Sequence, residues 1–326
     1  MTLGTVLAGS FRLLRRDPRT TLGPALVVSI VTTAIGSLGQ WFVSVWAVDE
    51  LSTSTYTDDL GSVFLAIAML GLLAGVLPAA VSLAANAILQ GMIVIVVSRG
   101  LLGERIGFPG IRRRIRGRVG ALVGWAALAF AAAMTVVALV VVVVIGLGSL
   151  GTGGIVLAVL LGILLVLGAI VLAILLGVKL GFVSPALVLE RAPLGAAIRR
   201  SWALTRGFFW RLLGIQLLVA VMIGIATSIV VTPVSFAVSL ITGLTLPNGG
   251  DVATYETLAG VNLAVTGFFT AIAGAFGLVI QTATTGLLYV DTRMRREGLD
   301  LVLARYVEDR QRSAATHDPF PAPGAP

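Results

Sequence analysis

The residues of this chain able to do chemistry in an apolar setting are amides and hydroxyls rather than acids, bases or thiols. Ser82, Asn86 and Gln90 recur at every fourth position, which on an α-helix sets them along one face. Gln40, Gln216, Asn262 and Gln281 stand in other apolar stretches. Groups of this kind serve in one of two ways. They bridge helices, at about 0.6 kcal/mol per bond in a membrane, aided by close small-residue contacts such as Gly71/Gly75 and Gly177/Gly181. Alternatively they form a polar strip facing a lipid or substrate cavity, with Asn86, Gln90, Gln216 and Gln281 as its lining and Ser82 on the same face. The sequence leaves both readings open.

Other chemistry is scarce. No ionisable residue falls near the middle of an apolar stretch; Lys179 comes nearest, close to a stretch end where a long side chain can snorkel. Proton-coupled pumps and ion carriers use intramembrane ionisable groups, so the pattern argues against that class. The only histidine is His317 and there is no cysteine, which removes histidine metal sites, thiol catalysis and disulfides. No Gly-Lys-Ser/Thr phosphate loop occurs. No catalytic, cofactor-binding or metal-ligating residue is expected, and no cofactor.

These amides are carried by six apolar stretches, at about 22–48, 63–98, 120–146, 155–182, 212–242 and 259–290. Each exceeds the roughly 20 residues that cross about 30 Å of hydrocarbon. A mean hydropathy of +1.03, with 57% hydrophobic and 12% charged residues, fits a chain whose main solvent is lipid. The charges are sorted. All 23 Lys and Arg residues fall within 1–21, 99–119, 179–211 and 291–326, whereas the loops 49–62, 147–154 and 243–258 carry only acids: Asp49, Glu50, Asp58, Asp59, Asp251 and Glu256. Under the positive-inside rule both termini are then cytoplasmic. The expectation is an all-α polytopic protein of the plasma membrane, with six transmembrane helices in three hairpins. Its first apolar run is too long for a cleaved signal peptide and is expected to remain as a span. One lysine against 22 arginines, with abundant Ala, Val and Gly, resembles a high-GC bacterial composition.

A basic amphipathic segment precedes each outward-going span and is expected to lie flat on the inner leaflet. In the first, Leu3, Val6, Leu7, Phe11 and Leu14 gather opposite Arg12, Arg15, Arg16 and Arg19. The second carries Arg112 and Arg113. In the third, Leu194, Ile198, Trp202 and Phe209 share an apolar side, with Arg199, Arg200 and Arg206 directed at headgroups. Each arginine near the surface attracts anionic lipid at about 1 kcal/mol. The net charge of +8 therefore points to anionic inner-leaflet lipids as the partner, leaves room for a membrane-protein partner, and does not indicate nucleic acid.

Aligning Gly23, Gly120 and Gly214 also brings Phe11, Phe108 and Trp202, and Arg15, Arg112 and Arg206, into register, a pattern suggesting a threefold repeat of elbow and hairpin. Residues 1–312 are expected to form one transmembrane domain, and the Pro-rich stretch 313–326 a disordered tail.

Two stretches carry a family resemblance. Leu187–Gly214, LVLERAPLGAAIRRSWALTRGFFWRLLG, contains Glu190, then Arg199, Arg200, Ser201 and Trp202, then Phe209, Trp210 and Arg211. Leu287–Asp300, LLYVDTRMRREGLD, contains Tyr289, Asp291, Arg293, Arg295, Arg296 and Glu297. Together with the N-terminal FRLLRRDPR these resemble the membrane domain family of glycerophosphoryl diester phosphodiesterase, in its stand-alone actinobacterial form. The resemblance implies a multi-span protein and supplies no catalytic or binding residues, because the soluble phosphodiesterase barrel of the fused relatives has no counterpart in this sequence. Glu190 is expected to pair with Arg199 or Arg200 at the water interface, an exposed contact of about 0–1 kcal/mol. The expected function is that of a non-enzymatic membrane scaffold or accessory subunit; the alternative is a lipid or small-amphiphile transporter with a polar cavity between its hairpins.

Overall fold

The computed structural model describes residues 4, 9, 18–53, 60–102, 107–245, 252–312 and 320. Ordered along the chain are α1 (Pro18–Thr53), α2 (Leu60–Leu101), α3 (Phe108–Arg116), α4 (Val119–Gly148), α5 (Thr152–Leu180), α6 (Val183–Leu189), α7 (Leu194–Thr205), α8 (Phe209–Thr245), α9 (Val252–Glu297) and α10 (Leu299–Gln311). The described residues contain no strand. Six regions are long and apolar enough to cross a membrane: Thr20–Trp46, Met69–Gly100, Val119–Gly148, Gly153–Leu189, Phe209–Thr245 and Thr257–Glu297. The protein is an all-α, multi-pass membrane protein, and its spans fall where the apolar stretches predict them.

Two helices exceed what a bilayer needs. With 42 residues α2 rises about 63 Å and with 46 residues α9 rises about 69 Å at 1.5 Å per residue, roughly twice the hydrocarbon thickness. Pro78 and Pro233 sit inside uninterrupted α2 and α8, whereas Pro18 opens α1, where its missing N–H costs nothing.

The chain divides into two compact units. The first comprises Met1–Ser10, Gln90–Gln216 and Thr282–Pro326. Here α4 and α5 pack as a hairpin, turned through Gly151 at φ 85°, a left-handed value that glycine adopts without a Cβ penalty. In α3, Ile111 and Ile115 are buried while Arg112, Arg113, Arg114 and Arg116 are exposed. Close packing of α2 on α3, α4 and α6 depends on Gly91, where a Cβ would lie 2.8 Å from Leu122 and 3.1 Å from Ile115.

The fourth apolar stretch does not run straight into the third elbow. Helix α5 ends at Leu180, a short helix α6 follows with Val183 to Val188 buried, and the chain turns at Glu190 and Arg191. Pro193 then leads into α7. The protein-facing side of α7 is Ala197, Ser201, Leu204 and Thr205; the apolar side expected from Leu194, Ile198, Trp202 and Phe209 is only half-buried or, at Trp202, exposed. Small residues let α7 approach closely, and the hydroxyls among them find partners: Thr205 Oγ1 donates to the Ser201 carbonyl at 3.0 Å.

The second unit comprises Phe11–Leu89 and Leu217–Gln281. Glycine contacts recur here as well. A Cβ on Gly39 would lie 3.2 Å from the Ala74 carbonyl, one on Gly267 3.1 Å from Ser37 Oγ, and one on Gly277 2.5 Å from Ile223. These bring α1 to α2, α1 to α9 and α8 to α9, as hairpin partners or neighbours in a membrane bundle do.

Arg191 is the one non-glycine residue of positive φ among those described, at 53°. Its carbonyl accepts a hydrogen bond from Arg118 Nη2, and Arg118 Nη1 reaches the Ala192 carbonyl at 3.4 Å, so the turn is held from outside. Left-handed backbone costs a residue with a Cβ about 1–2 kcal/mol. Arg191→Gly is therefore expected to leave the thermal midpoint in detergent unchanged or raised, and Arg191→Val to lower it. A Gly variant that melts below the Val variant would contradict this account of the turn.

Candidate functional site

The polar residues of the first unit converge on Glu190. It caps α6, its backbone N–H donating to the Ala186 carbonyl at 3.2 Å, and its side chain has no exposed surface. Three groups meet the carboxylate. Arg200 Nε pairs with Oε2, the Tyr289 hydroxyl donates to Oε1, and Arg293 Nε stands 3.6 Å from Oε1. A second carboxylate closes the figure. Arg200 Nη2 donates to Glu297 Oε1 at 2.8 Å and Oε2 at 2.9 Å, and Arg293 Nε to Glu297 Oε2 at 2.9 Å. Two guanidiniums and two carboxylates thus alternate, with formal charges that cancel.

The local sequence explains the geometry. Tyr289, Arg293 and Glu297 follow at intervals of four on α9 and so share one face, while Arg200 approaches from α7. The Phe182 ring meets Tyr289 edge-on at 5.6 Å, a favourable aromatic geometry. Burial would lower the Arg200 pKa, but the hydrogen bond and charge of Glu190, then the charge of Glu297, outweigh it, and the guanidinium is held above its ordinary value.

Neighbouring motif residues extend this clamp. Asp291 receives Arg295 at 3.2 Å on its own helix and Arg211, from the start of α8, at 3.4 Å. Arg296 donates to the carbonyls of Ala203, at 2.8 Å, and Arg206, and lies 5.5 Å from the Phe208 ring. The end of α9 therefore secures the turn between α7 and α8. Ser201, fully buried, bridges another break: its hydroxyl donates to the Lys179 carbonyl at 2.7 Å and accepts from the Phe182 N–H at 3.2 Å. Lys179 Nζ sits 3.9 Å from the Trp202 ring centre, a cation–π contact. Trp210 is 80% exposed, and Phe209 packs against it edge-on at 5.5 Å.

Of the arginines expected at headgroups, Arg112, Arg113, Arg199 and Arg206 are exposed. Arg200 differs from that expectation, because its guanidinium is committed to Glu190 and Glu297. The Glu190–Arg200 pair is likewise not a water-exposed contact but part of a buried network. Arg12, Arg15 and Arg16 lie outside the described residues, as does the side chain of Arg19.

The amides are divided between the units. In the second, Asn86 Nδ2 donates to Ser82 Oγ at 3.4 Å, one turn away, and Gln281 is half-buried. In the first, Ser184 Oγ donates to Gln90 Oε1 at 3.1 Å, a bridge from α6 to α2. There Gln216 lies against Gly181, whose Cβ, were there one, would stand 3.6 Å from Nε2. The second unit also contains a cleft of about 560 Å³ between α1 and α9, lined by Thr33, Ser37, Trp41, Gly260, Gly267 and Phe268 among others. Its walls are mostly apolar. The described residues contain no cluster of three or more His, Asp or Glu side chains able to hold a metal.

Sequence reasoning found the two motif stretches but not their meeting, nor the roles of Phe182, Ser184 and Arg118. One signal was present: Arg293 shares a helical face with Tyr289 and Glu297. The fold and this interlocked polar clamp define a multi-pass helical membrane protein. Residues 155–310 match the family model described as the membrane domain of glycerophosphoryl diester phosphodiesterase, so that stretch of the chain is similar to this family. The match begins beyond the FRLLRRDPR segment, and it concerns the membrane domain, not the catalytic one. No curated protein and no solved structure matches the chain.

Removing one member of a buried ion pair leaves a charge uncompensated, at about 3–5 kcal/mol. Glu190→Ala is expected to destabilise the protein by this order, whereas Arg199→Ala, one residue from Arg200 but exposed, is expected to change stability by less than about 0.5 kcal/mol. Denaturation in detergent distinguishes them, and equal effects would remove Glu190 from the centre of the clamp.

Proposed function

We propose that the protein is a non-enzymatic plasma-membrane scaffold or accessory subunit, with both termini cytoplasmic and its basic elbows on anionic lipid. The observation that carries this reading is the closure of the clamp: Glu190, Arg200, Arg293, Glu297 and Tyr289 bind one another, as a framework requires, and present no acid–base pair to a substrate. Gln90 supports it further, since its amide oxygen is engaged by Ser184 as a helix bridge. Exposed Arg112, Arg113, Arg114 and Arg116 opposite buried Ile111 and Ile115 suit an elbow lying between protein and headgroups, with Arg199 and Arg206 on the third elbow and Arg12, Arg15, Arg16 and Arg19 on the first. The partners in this reading are anionic inner-leaflet lipids and a membrane protein, not nucleic acid.

The orientation is open to direct measurement, since the chain has no cysteine. Thr55→Cys, Thr152→Cys and Asn248→Cys are expected to react with an impermeant thiol reagent in whole cells. Gly107→Cys, Ala196→Cys and Ser313→Cys are not, and labelling of Gly107→Cys from outside would overturn the topology.

The second reading, a lipid or small-amphiphile transporter, is favoured by the apolar cleft between α1 and α9, whose size lies in the range of ligand pockets, about 300–1,000 Å³. The amides separate the two readings. If Asn86 and Gln90 serve as helix-packing groups, Asn86→Leu and Gln90→Leu lower stability by about 0.6 kcal/mol per lost bond and leave co-purifying lipid in place, the outcome expected here. Lipid loss from variants that melt like the parent would instead support transport.

A further inference from the structure

Beyond Arg312 the described chain contains one residue, Phe320, and it is buried. Its side chain is 2% exposed, its carbonyl accepts a hydrogen bond from Arg293 Nη1 at 3.1 Å, and its ring centre lies 5.9 Å from the Arg99 guanidinium. Arg99 and Arg293 are themselves 5% and 2% exposed. A solvated tail does not set its aromatic ring beside one buried arginine and its carbonyl on another.

The flanking sequence suits such a site. Pro319 and Pro321 flank Phe320 in the sequence; proline has no N–H to donate, so such a segment offers mainly carbonyls for recognition. Guanidiniums are pure donors, and they attract aromatic faces. Arg293 meets the first need and Arg99 the second, and Arg293 also holds Glu297 at 2.9 Å, which ties the occupant to the clamp around Glu190.

We propose that Arg99 and Arg293 frame a slot for a Pro-flanked aromatic segment, and that the chain's own Phe320 fills it. The tail is then a displaceable latch on the ion clamp, and a partner segment of the same chemistry would compete for the slot. The docking is intramolecular, so its strength depends on the high effective concentration of the tethered tail, and a free peptide must be supplied in excess to displace it.

A nitroxide attached at Ala322→Cys in the full chain, in a native-lipid nanodisc, reads the latch. The label is expected to be immobilised in the parent and released by Phe320→Ala. A synthetic peptide of residues 313–326 in excess should also release it, and the same peptide with the Phe320→Ala change should need on the order of tenfold or more higher concentration, from the lost burial of one ring. A label already mobile in the parent, an unchanged spectrum in Phe320→Ala, or equal potency of the two peptides would each overturn the proposal.

Discussion

A carboxylate without exposed surface is tolerable only if cations are fixed beside it, because water no longer compensates its charge. Glu190 imposes this condition on the first unit. It requires Arg200 and Arg293 within reach, Arg293 in turn shares Glu297, and the neutral figure so formed joins the turn after α6, the body of α7 and the end of α9. The buried pair need not add net stability, since apolar residues of similar volume often serve as well. Its effect is on register. Sliding α9 by one residue turns its face by about 100°, which would take Tyr289, Arg293 and Glu297 away together.

The same logic governs the backbone. A helix that stops inside an apolar protein leaves carbonyls and amides unpaired, each costly where water is absent. Between α5 and α6 the Lys179 carbonyl and the Phe182 N–H are such groups, and one hydroxyl, that of Ser201, serves both. The break between α5 and α6 therefore keeps these two groups hydrogen-bonded. Arg118, Arg296 and Arg293 perform the corresponding service for the carbonyls of Arg191, Ala203 and Phe320. Among the described residues, these arginines thus saturate backbone carbonyls as well as carboxylates.

The spans were legible in sequence because lipid enforces a simple rule: long apolar runs, bounded by sorted charge, become helices. The motif residues were visible too, as two runs of unusual polarity. Their meeting was hidden by separation, since about 100 residues lie between Glu190 and Tyr289 and no local period connects them. Arg200 was misplaced for a related reason. A basic residue beside Arg199 on a helix reads as another exposed charge until a buried acid is known to face it. The inner face of α7 was missed because Ala197, Ser201 and Thr205 have little hydropathy of their own, and their value lies in how closely they let another element approach.

This division of the arginines bears on what the motif means. Within a single basic stretch, Arg199 is exposed and Arg200 points inward, so the RRSW sequence encodes one exposed guanidinium and one engaged by Glu190 and Glu297. Ser201 belongs to the backbone, and Trp202 is occupied by Lys179. The second motif stretch divides likewise: Tyr289, Arg293 and Glu297 face Glu190 and Arg200, while Asp291 takes Arg295 and Arg211, and Arg296 closes the α7–α8 turn. The matching family description names a phosphodiesterase, yet the charged groups around Glu190 in this stretch, Arg200, Arg293 and Glu297, are directed at one another. Hydrolysis of a phosphodiester needs an attacking group and charge stabilisation aimed at a bound substrate. Glu190, Arg200, Arg293 and Glu297 already neutralise one another, and through them the turn after α6, the body of α7 and the end of α9 are joined.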